Sequence, residues 1–330
     1  MSNLPPNLPT YADITEAAQR LEGVARRTAL LENPLLNEQL GCRLLIKAEP
    51  LQLTGSFKIR GAYNFISRLG PEARKTGVVT FSSGNHAQGV AAAAQICNIP
   101  ATVVMPKDAP ALKIENTRAY GADVVLYDRY KESREGIAKK LADERGAPLI
   151  SSYDDFYIIA GQGTVGLEIV QQANEMDATL DAIIIPCGGG GLSSGSSLAI
   201  THDSPNTKVY IAEPQNFDDT KRSLETGNLQ SIDNDKRSIC DALLAPTPGN
   251  MTFAINQEHL AGGLLVSDAE AITAMVVAFR YFKLVVEPGG AVALASILSG
   301  KLGVNGKTIA AVCSGGNVEP SQFQEALETK

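Results

Sequence analysis

Residues 182–192 read Ala-Ile-Ile-Ile-Pro-Cys-Gly-Gly-Gly-Gly-Leu, an apolar run that ends in four consecutive glycines. Such a run is typical of a strand that is buried on both faces of a parallel sheet. Because glycine has no Cβ, successive backbone N–H groups can turn inward as an anion nest, and a helix that starts there adds its positive end. Four glycines are costly for a simple turn. We therefore predict a phosphate site formed by Gly188, Gly189, Gly190, Gly191 and Leu192.

The rest of the chain repeats this strand-to-helix pattern. Short runs rich in Val, Ile and Leu alternate with stretches of helical periodicity, which predicts an α/β fold with mainly parallel sheets flanked by helices. The other predicted strands are 43–47, 77–81, 101–105, 123–127, 148–151, 208–212 and 308–313, and the helices include 57–69 and 86–97. The compact succession from about 76 to 151 is predicted to form a small sheet of its own, inserted between two halves of a larger one.

The composition excludes several functional classes. The 330 residues are 44% hydrophobic and 20% charged, with a net charge of −7 and no run of Lys or Arg. Nucleic-acid and anionic membrane surfaces need clustered positive charge, so neither is expected as a partner. The sequence has no apolar stretch of about 20 residues and no signal peptide at its start, and we expect a cytoplasmic protein. The five cysteines form no C-x-x-C pair, and the three histidines lie too far apart for a histidine-rich metal site.

Three more predicted strand-to-helix junctions carry glycines together with hydroxyl, amide or amine groups. Such junctions face the ligand crevice of open α/β sheets. In Leu53-Thr54-Gly55-Ser56-Phe57-Lys58, a lysine at a helix start beside apolar residues can be desolvated, which lowers its pKa and makes it a nucleophile. Taken alone, this segment favours a solvated lysine in a first helical turn.

The other two junctions also allow two interpretations each. In Ser82-Ser83-Gly84-Asn85-His86, hydroxyl and amide groups stand beside the exposed N–H groups of the next helix and can bind a carboxylate, although a plain helix cap has the same pattern. In Cys313-Ser314-Gly315-Gly316-Asn317, the Ser314 hydroxyl can bond a heterocyclic nitrogen, or the segment is simply a turn after a strand.

A dinucleotide-binding fold is the rival interpretation of the glycine run. Glu213 follows the glycines, after the predicted strand 208–212, at roughly the distance at which an acidic residue meets a ribose. The G-x-G-x-x-G spacing fails, however, because the last glycine position holds Ser193 or Ser194. An NAD-dependent oxidoreductase therefore stays a remote alternative.

Together and in this order, the four motifs resemble those of the fold-type II enzymes that depend on pyridoxal 5′-phosphate (PLP). The closest resemblance is to serine/threonine dehydratases and serine racemases, from about residue 12 to residue 320, including the AGQGT sequence at 160–164 and the EPGGA sequence at 287–291. The resemblance implies a two-domain fold like that of the tryptophan synthase β subunit. The large PLP-binding domain would be 1–75 and 152–330, and 76–151 would be a small, mobile domain that closes over the substrate. It also implies a homodimer or a dimer of dimers.

The resemblance also implies roles for the motif residues. Lys58 would hold PLP as a Schiff base and, once freed, remove the Cα proton of the substrate. Asn85 would lie beside the 3′-hydroxyl, the four glycines would surround the phosphate, and Ser314 would meet the pyridine nitrogen. Ser83 would work on the opposite face of Cα. The substrate would be bound by Ser82, Ser83, Asn85, His86 and Arg134.

A divalent cation site is implied in the same way. Glu213, the backbone carbonyl of Phe217, and Asp219 match the cation site of these enzymes, and oxygen ligands suit Mg²⁺, with Ca²⁺ or Mn²⁺ as alternatives. The same segment also fits an ordinary acidic helix start.

The predicted reaction is ammonia release from L-threonine or L-serine by α-proton removal and β-elimination, giving 2-oxobutanoate or pyruvate. Serine racemisation with side elimination, or dehydration of threo-3-hydroxyaspartate, are the alternatives. Arg134 bears on the last of these, because it matches an arginine that reaches a second carboxylate in racemase relatives, although a solvated helix arginine fits as well. The chain ends near Lys330 without room for the regulatory domain of the long biosynthetic threonine dehydratases, so isoleucine feedback is not expected.

Overall fold

The computed structural model describes residues 8–233 and 235–329 and contains two sheets with helices on their faces. Residues 1–7, 234 and 330, which the predicted large domain includes, lie outside the described residues. The strands are β1 (Leu30–Glu32), β2 (Arg43–Ala48), β3 (Val78–Phe81), β4 (Ala101–Pro106), β5 (Asp123–Tyr127), β6 (Leu149–Ile150), β7 (Ala182–Pro186), β8 (Lys208–Pro214), β9 (Gly262–Val266) and β10 (Thr308–Cys313).

The six-stranded sheet has the order β1-β2-β10-β7-β8-β9, and the four-stranded sheet has the order β5-β4-β3-β6. Every strand pair is parallel except β1 with β2. The helices are α1 (Tyr11–Leu21), α2 (Pro34–Leu40), α3 (Lys58–Ile66), α4 (Ala73–Thr76), α5 (Asn85–Cys97), α6 (Ala111–Ala119), α7 (Arg134–Arg145), α8 (Phe156–Glu175), α9 (Gly191–Asp203), α10 (Asp219–Thr226), α11 (Asn250–His259), α12 (Asp268–Val277), α13 (Pro288–Leu298) and α14 (Pro320–Glu328).

The isoleucines of β7 explain why this strand lies inside the large sheet. Ile183 and Ile185 belong to the apolar cluster on the face of the sheet covered by α8 and α9, whereas Ile184 belongs to the cluster on the face covered by α12 and α13. All three side chains are fully buried. Burial of each contributes about 1.5–3 kcal/mol, so an unbroken apolar run stabilises a strand that has no solvent face.

The predicted α/β class is confirmed, and each predicted strand corresponds to an observed one with bounds shifted by at most two residues. The sequence analysis missed β1, which has three residues, and β9, which starts with Gly262 and Gly263. Predicted helix 57–69 is shorter in the structure, ending at Ile66 well before Gly70.

The four-stranded sheet lies within the segment 78–150, and its apolar core is shared with α3 of the preceding segment. Ile59, Ala62 and Ile66 of α3 pack in one cluster with residues of β3, β4 and α5. The assignment of 76–151 as a mobile domain stays a prediction. Among the described residues, no helix has both the length and the hydrophobicity needed to cross a bilayer.

Candidate active site

Lys58 is the first residue of α3 and lies half-buried against the connection between the two sheets. Its Nζ donates a hydrogen bond to the backbone carbonyl of Ser152 at 2.8 Å. Burial lowers the pKa of Lys58 to about 8, against the opposing effect of the Glu287 carboxylate. A substantial fraction of the amine is therefore neutral near pH 7–8, which a lysine nucleophile requires.

The segment before Lys58 is bound to the loop that follows β10. The Gly316 N–H donates to the Gly55 carbonyl at 2.9 Å, and Asn317 Nδ2 donates to the Thr54 carbonyl at 2.8 Å. The Phe57 N–H donates to the Ser314 carbonyl at 3.2 Å. Thr54 adopts a left-handed conformation with φ of 71°, which is uncommon for a β-branched residue. The first and last predicted motifs are thus brought together at the start of α3.

The Asn85 side chain lies in the same place, at the start of α5. Its Oδ1 accepts a hydrogen bond from Asn317 Nδ2 at 2.8 Å, and its Nδ2 donates to Glu287. Glu287 in turn pairs with Lys113 Nζ at 3.3 Å, and Lys113 also pairs with Asp241 at 2.7 Å. The site therefore contains a buried chain of charged and amide groups that joins α6 to the large sheet.

Sequence reasoning assigned no role to Glu287 or Lys113. Burial raises the pKa of the Glu287 carboxyl, although the Lys113 ammonium opposes this shift, and the two neighbouring carboxylates raise the pKa of Lys113. Lys113 is a single lysine in an otherwise ordinary helix, so no local pattern indicates this contact. The EPGGA sequence contains Glu287 but does not reveal its partners.

The turn between β3 and α5 carries the predicted substrate residues. Ser82 Oγ accepts a hydrogen bond from the Gly84 N–H at 3.2 Å, whereas the half-buried Ser83 hydroxyl makes none within the described part of the chain. His86 is only 2% exposed. Burial, followed by the charge of Lys58, lowers its pKa to about 3, so the imidazole is neutral. A carboxylate at this turn would be bound by hydroxyl and backbone N–H groups, since His86 supplies no positive charge.

The tetraglycine loop joins β7 to α9, as predicted. Gly190 has φ of 94°, which favours glycine, and α9 starts at Gly191. A Cβ at Gly190 would lie 2.9 Å from the Thr252 side chain, and one at Gly191 would lie 3.0 Å from the Tyr153 backbone. The Tyr153 ring itself packs on Gly189. Glycine is therefore required here by close packing as well as by conformation. The N–H groups of the first turn of α9, including that of Leu192, have no carbonyl partner within their own helix.

Ser314 follows β10 and is 5% exposed. It lies beside the Ser56 and Gly315 bridge, close to the start of α3. The donor set of the site fits PLP: a partly desolvated amine, an anion nest at a helix start, an amide from Asn85 and a neutral hydroxyl from Ser314. The Ser56 hydroxyl is buried without a hydrogen-bond partner among the described residues, which suits a position next to a polar ligand.

Glu213 and Asp219, predicted as cation ligands, are both buried at the end of β8 and the start of α10. Glu213 accepts hydrogen bonds from the N–H groups of Thr220 at 3.0 Å and Lys221 at 2.9 Å, while Asp219 Oδ2 has no partner among the described residues. Burial and the Asp219 charge raise the pKa of Glu213, and burial raises that of Asp219 to about 7. Two adjacent buried carboxylates with an unpaired oxygen fit a cation.

Few other side chains near Glu213 and Asp219 could serve as cation ligands. Over residues 8–233 and 235–329 there is no cluster of three or more His, Cys, Asp or Glu that could hold a metal, so a cation at Glu213 and Asp219 would need carbonyl or water ligands. Phe217, whose carbonyl was predicted as a ligand, is buried in the turn between them.

Arg134 starts α7, and its guanidinium lies over the ring of Phe81 at the end of β3. Its guanidinium carbon lies 5.3 Å from the centre of the Phe81 ring, and Phe81 directly precedes the Ser82 and Ser83 turn. Nε donates to Glu135 at 2.7 Å in a pair that is largely exposed, while the Nη atoms make no hydrogen bond within the described ranges. Over the described residues, both Nη groups of Arg134 therefore stay unpaired, next to the residue that precedes Ser82.

These features are those of the pyridoxal-phosphate dependent enzyme family, whose sequence model matches residues 21–315. The chain belongs to this family. It is 44% identical to the L-threo-3-hydroxyaspartate ammonia-lyase of a Pseudomonas species, covering 97% of this chain and 99% of the relative. It is 40% identical to the serine racemase of Schizosaccharomyces pombe, covering 97% and 98%. The solved structure of maize serine racemase superposes with a TM-score of 0.91 at 36% identity, covering 97% of this chain and 97% of that one.

The family assignment confirms the fold-type II resemblance and PLP as cofactor. The dinucleotide alternative gains no support, and the environment of Glu213 argues against it. Glu213 is fully buried behind two backbone hydrogen bonds, so a group as large as a ribose cannot reach it, whereas a single cation needs only the remaining lone pairs of its oxygens.

Proposed function

We propose that this chain is a PLP-dependent ammonia-lyase that acts on L-threo-3-hydroxyaspartate and releases oxaloacetate and ammonia. The observation that carries the proposal is the position of Arg134 over Phe81, the residue that directly precedes the Ser82 and Ser83 turn. A substrate with a second carboxylate gains a charge-assisted hydrogen bond there, which serine and threonine cannot make. The name of the Pseudomonas relative agrees with this choice. L-Threonine and L-serine, which the sequence analysis ranked first, become secondary substrates.

In this proposal, each residue of the candidate site has a separate role in the reaction. When bound, PLP stabilises the negative charge that develops on Cα as the proton leaves. Lys58 takes that proton on one face, because its lowered pKa of about 8 leaves part of the amine neutral near physiological pH. The tetraglycine loop would hold the phosphate, and Asn85, fixed by Glu287 and Asn317, would orient the ring. Ser314 would offer the pyridine nitrogen a neutral hydroxyl in place of a carboxylate, which would leave that nitrogen unprotonated and favour elimination over transamination.

We propose that Ser83 serves the opposite face of Cα. Ser83→Ala is expected to reduce 2-oxo acid release from D-serine by about 10²-fold, the usual contribution of one acid or base, while release from L-serine falls less than about fivefold. The measurement is 2-oxo acid formation from each enantiomer. Ser321→Ala is the control, because Ser321 is an exposed residue of α14 without a role in the candidate site. Equal loss with both enantiomers would refute the opposite-face role.

The substrate proposal is tested with the wild-type enzyme. We expect kcat/KM for L-threo-3-hydroxyaspartate to exceed that for L-threonine and L-serine at least tenfold, with oxaloacetate as product. Chiral chromatography of the remaining serine measures racemisation in the same reaction. If D-serine formed faster than any 2-oxo acid, the chain would be a serine racemase, and the ammonia-lyase proposal would be wrong.

We also propose that Glu213 and Asp219 bind Mg²⁺ with the Phe217 carbonyl. A cation relieves the repulsion between two buried carboxylates, so MgCl₂ added after EDTA treatment is expected to raise the melting temperature by a few degrees. Glu213→Gln is expected to abolish this rise, whereas Asp218→Asn, in the adjacent turn, should keep it. An unchanged wild-type melting temperature would contradict the proposal.

The homodimer and the closing motion of 76–151 stay predictions that sedimentation and small-angle scattering can test.

A further inference from the structure

The segment 152–154 runs between the two sheets and contacts both ends of the candidate PLP site. The Ser152 carbonyl accepts the hydrogen bond from Lys58 Nζ at 2.8 Å. The next residue, Tyr153, packs its ring on Gly189 and its backbone against Gly191. Two consecutive residues therefore contact the lysine and the phosphate loop, and the geometry of the site depends on how this segment is held.

Asp154 fixes this segment to the start of α11. Its Oδ1 accepts hydrogen bonds from the N–H groups of Met251 at 2.9 Å and Thr252 at 3.2 Å, and its Oδ2 accepts one from Asn250 at 3.0 Å. The first N–H groups of a helix have no partner within the helix, and its positive end favours a carboxylate. Gly249 leaves room for the carboxylate, because a side chain there would overlap it.

Helix α11 is itself bound to the tetraglycine loop. Thr252 Oγ1 donates to the Gly189 carbonyl at 2.7 Å, and the Gly249 N–H donates to the same oxygen at 3.3 Å. One turn later, Asn256 Nδ2 donates to Ser193 Oγ at 3.0 Å, in the first turn of α9. A rigid path of hydrogen bonds thus leads from Asp154 through α11 to the phosphate loop.

We propose that Asp154 is a positioning residue that sets the spacing between Lys58 and the tetraglycine loop. PLP would be bound at two points, its aldehyde carbon and its phosphate. The distance between the Lys58 amine and the tetraglycine loop must therefore match the distance between these two groups of PLP. Asp154 controls that separation from both sides: through Ser152 and Tyr153 on its own segment, and through Thr252 on α11. Its carboxylate need not touch PLP to determine how tightly PLP is held.

The test compares Asp154→Ala, Asp154→Asn and wild-type full-length enzyme in the PLP-bound form, without substrate. Asp154→Ala removes three charge-assisted hydrogen bonds, so we expect the PLP dissociation constant in equilibrium dialysis to rise roughly tenfold or more. The ³¹P resonance of bound PLP should shift or broaden, and amide hydrogen exchange should accelerate at 250–252 and at 189–191. Asp154→Asn retains the oxygen that serves Met251 and Thr252, and should recover most of the affinity.

Ser267→Ala is the matched control, because Ser267 caps α12 through the Glu270 N–H and, among the described residues, has no hydrogen bond to the tetraglycine loop. It should lower stability but leave PLP affinity and the ³¹P signal unchanged. If Asp154→Ala accelerated exchange only at 250–252 and kept PLP affinity within twofold of wild type, Asp154 would be a helix cap and the proposal would be wrong. The proposal would also be wrong if Ser267→Ala weakened PLP binding as much as Asp154→Ala. No arm uses substrate, so the outcome is independent of the proposed ammonia-lyase activity.

Discussion

Replacing Lys58 by alanine is expected to lower the rate of ammonia release at least about 10³-fold. The change removes both the amine that attaches PLP and the base on one face of Cα, and a positioned base alone contributes about 10²–10⁴-fold. The visible absorption of lysine-bound PLP should disappear as well. Steady-state assays and absorption spectra of the purified variant measure the two effects.

Lys75→Ala is the control for this experiment, since Lys75 is an exposed lysine paired only with Glu72 on the surface. Its activity and spectrum should match the wild type. A Lys58→Ala enzyme that kept a tenth of the wild-type activity would show that another group removes the proton.

Arg134→Gln is expected to change the choice of substrate. Loss of a charge-assisted contact with a second carboxylate should cost about 2–3 kcal/mol, which corresponds to a fall in kcat/KM for L-threo-3-hydroxyaspartate of roughly 30- to 150-fold. Activity with L-serine should stay within about threefold, because serine has nothing for Arg134 to bind. Arg134→Lys keeps the charge but loses the bidentate geometry of the guanidinium. Its kcat/KM for L-threo-3-hydroxyaspartate should therefore lie between those of the wild type and Arg134→Gln.

The control for this variant is Arg129→Gln, which removes another exposed arginine of the same small sheet, paired with Asp108. It should leave all substrates unaffected. A parallel loss with serine and 3-hydroxyaspartate after Arg134→Gln would assign Arg134 a general structural role and remove the main support for the dicarboxylate substrate.

The parts of the fold that could be predicted are those that local sequence determines. The run at 182–187 is long enough and apolar enough to require a buried strand, and the four glycines after it require a special turn. The carboxyl ends of parallel strands meet at one edge of a sheet, so motifs that follow such strands were expected to lie together. Thr54 to Lys58, Ser82 to His86 and Ser314 to Asn317 are indeed close in space.

The contacts that could not be predicted join residues far apart in sequence through side chains of ordinary type. Lys113 and Glu287 are separated by 174 residues, and only the tertiary fold places this lysine of α6 beside the residue that precedes α13. Asp154 reaches Asn250 across 96 residues and has the sequence appearance of a loop residue. Strand β9 was missed because two glycines at its start weaken the strand pattern, although pairing with β8 stabilises it.

Mapping the attachment site shows whether Lys58 carries PLP. The purified enzyme is reduced with borohydride, digested with a protease and analysed by mass spectrometry for a phosphopyridoxyl group. We expect this mass on the peptide that contains Lys58 and its absence from the Lys58→Ala variant. A phosphopyridoxyl group on Lys113 or another lysine, or an enzyme that acquires none after incubation with PLP, would contradict this expectation.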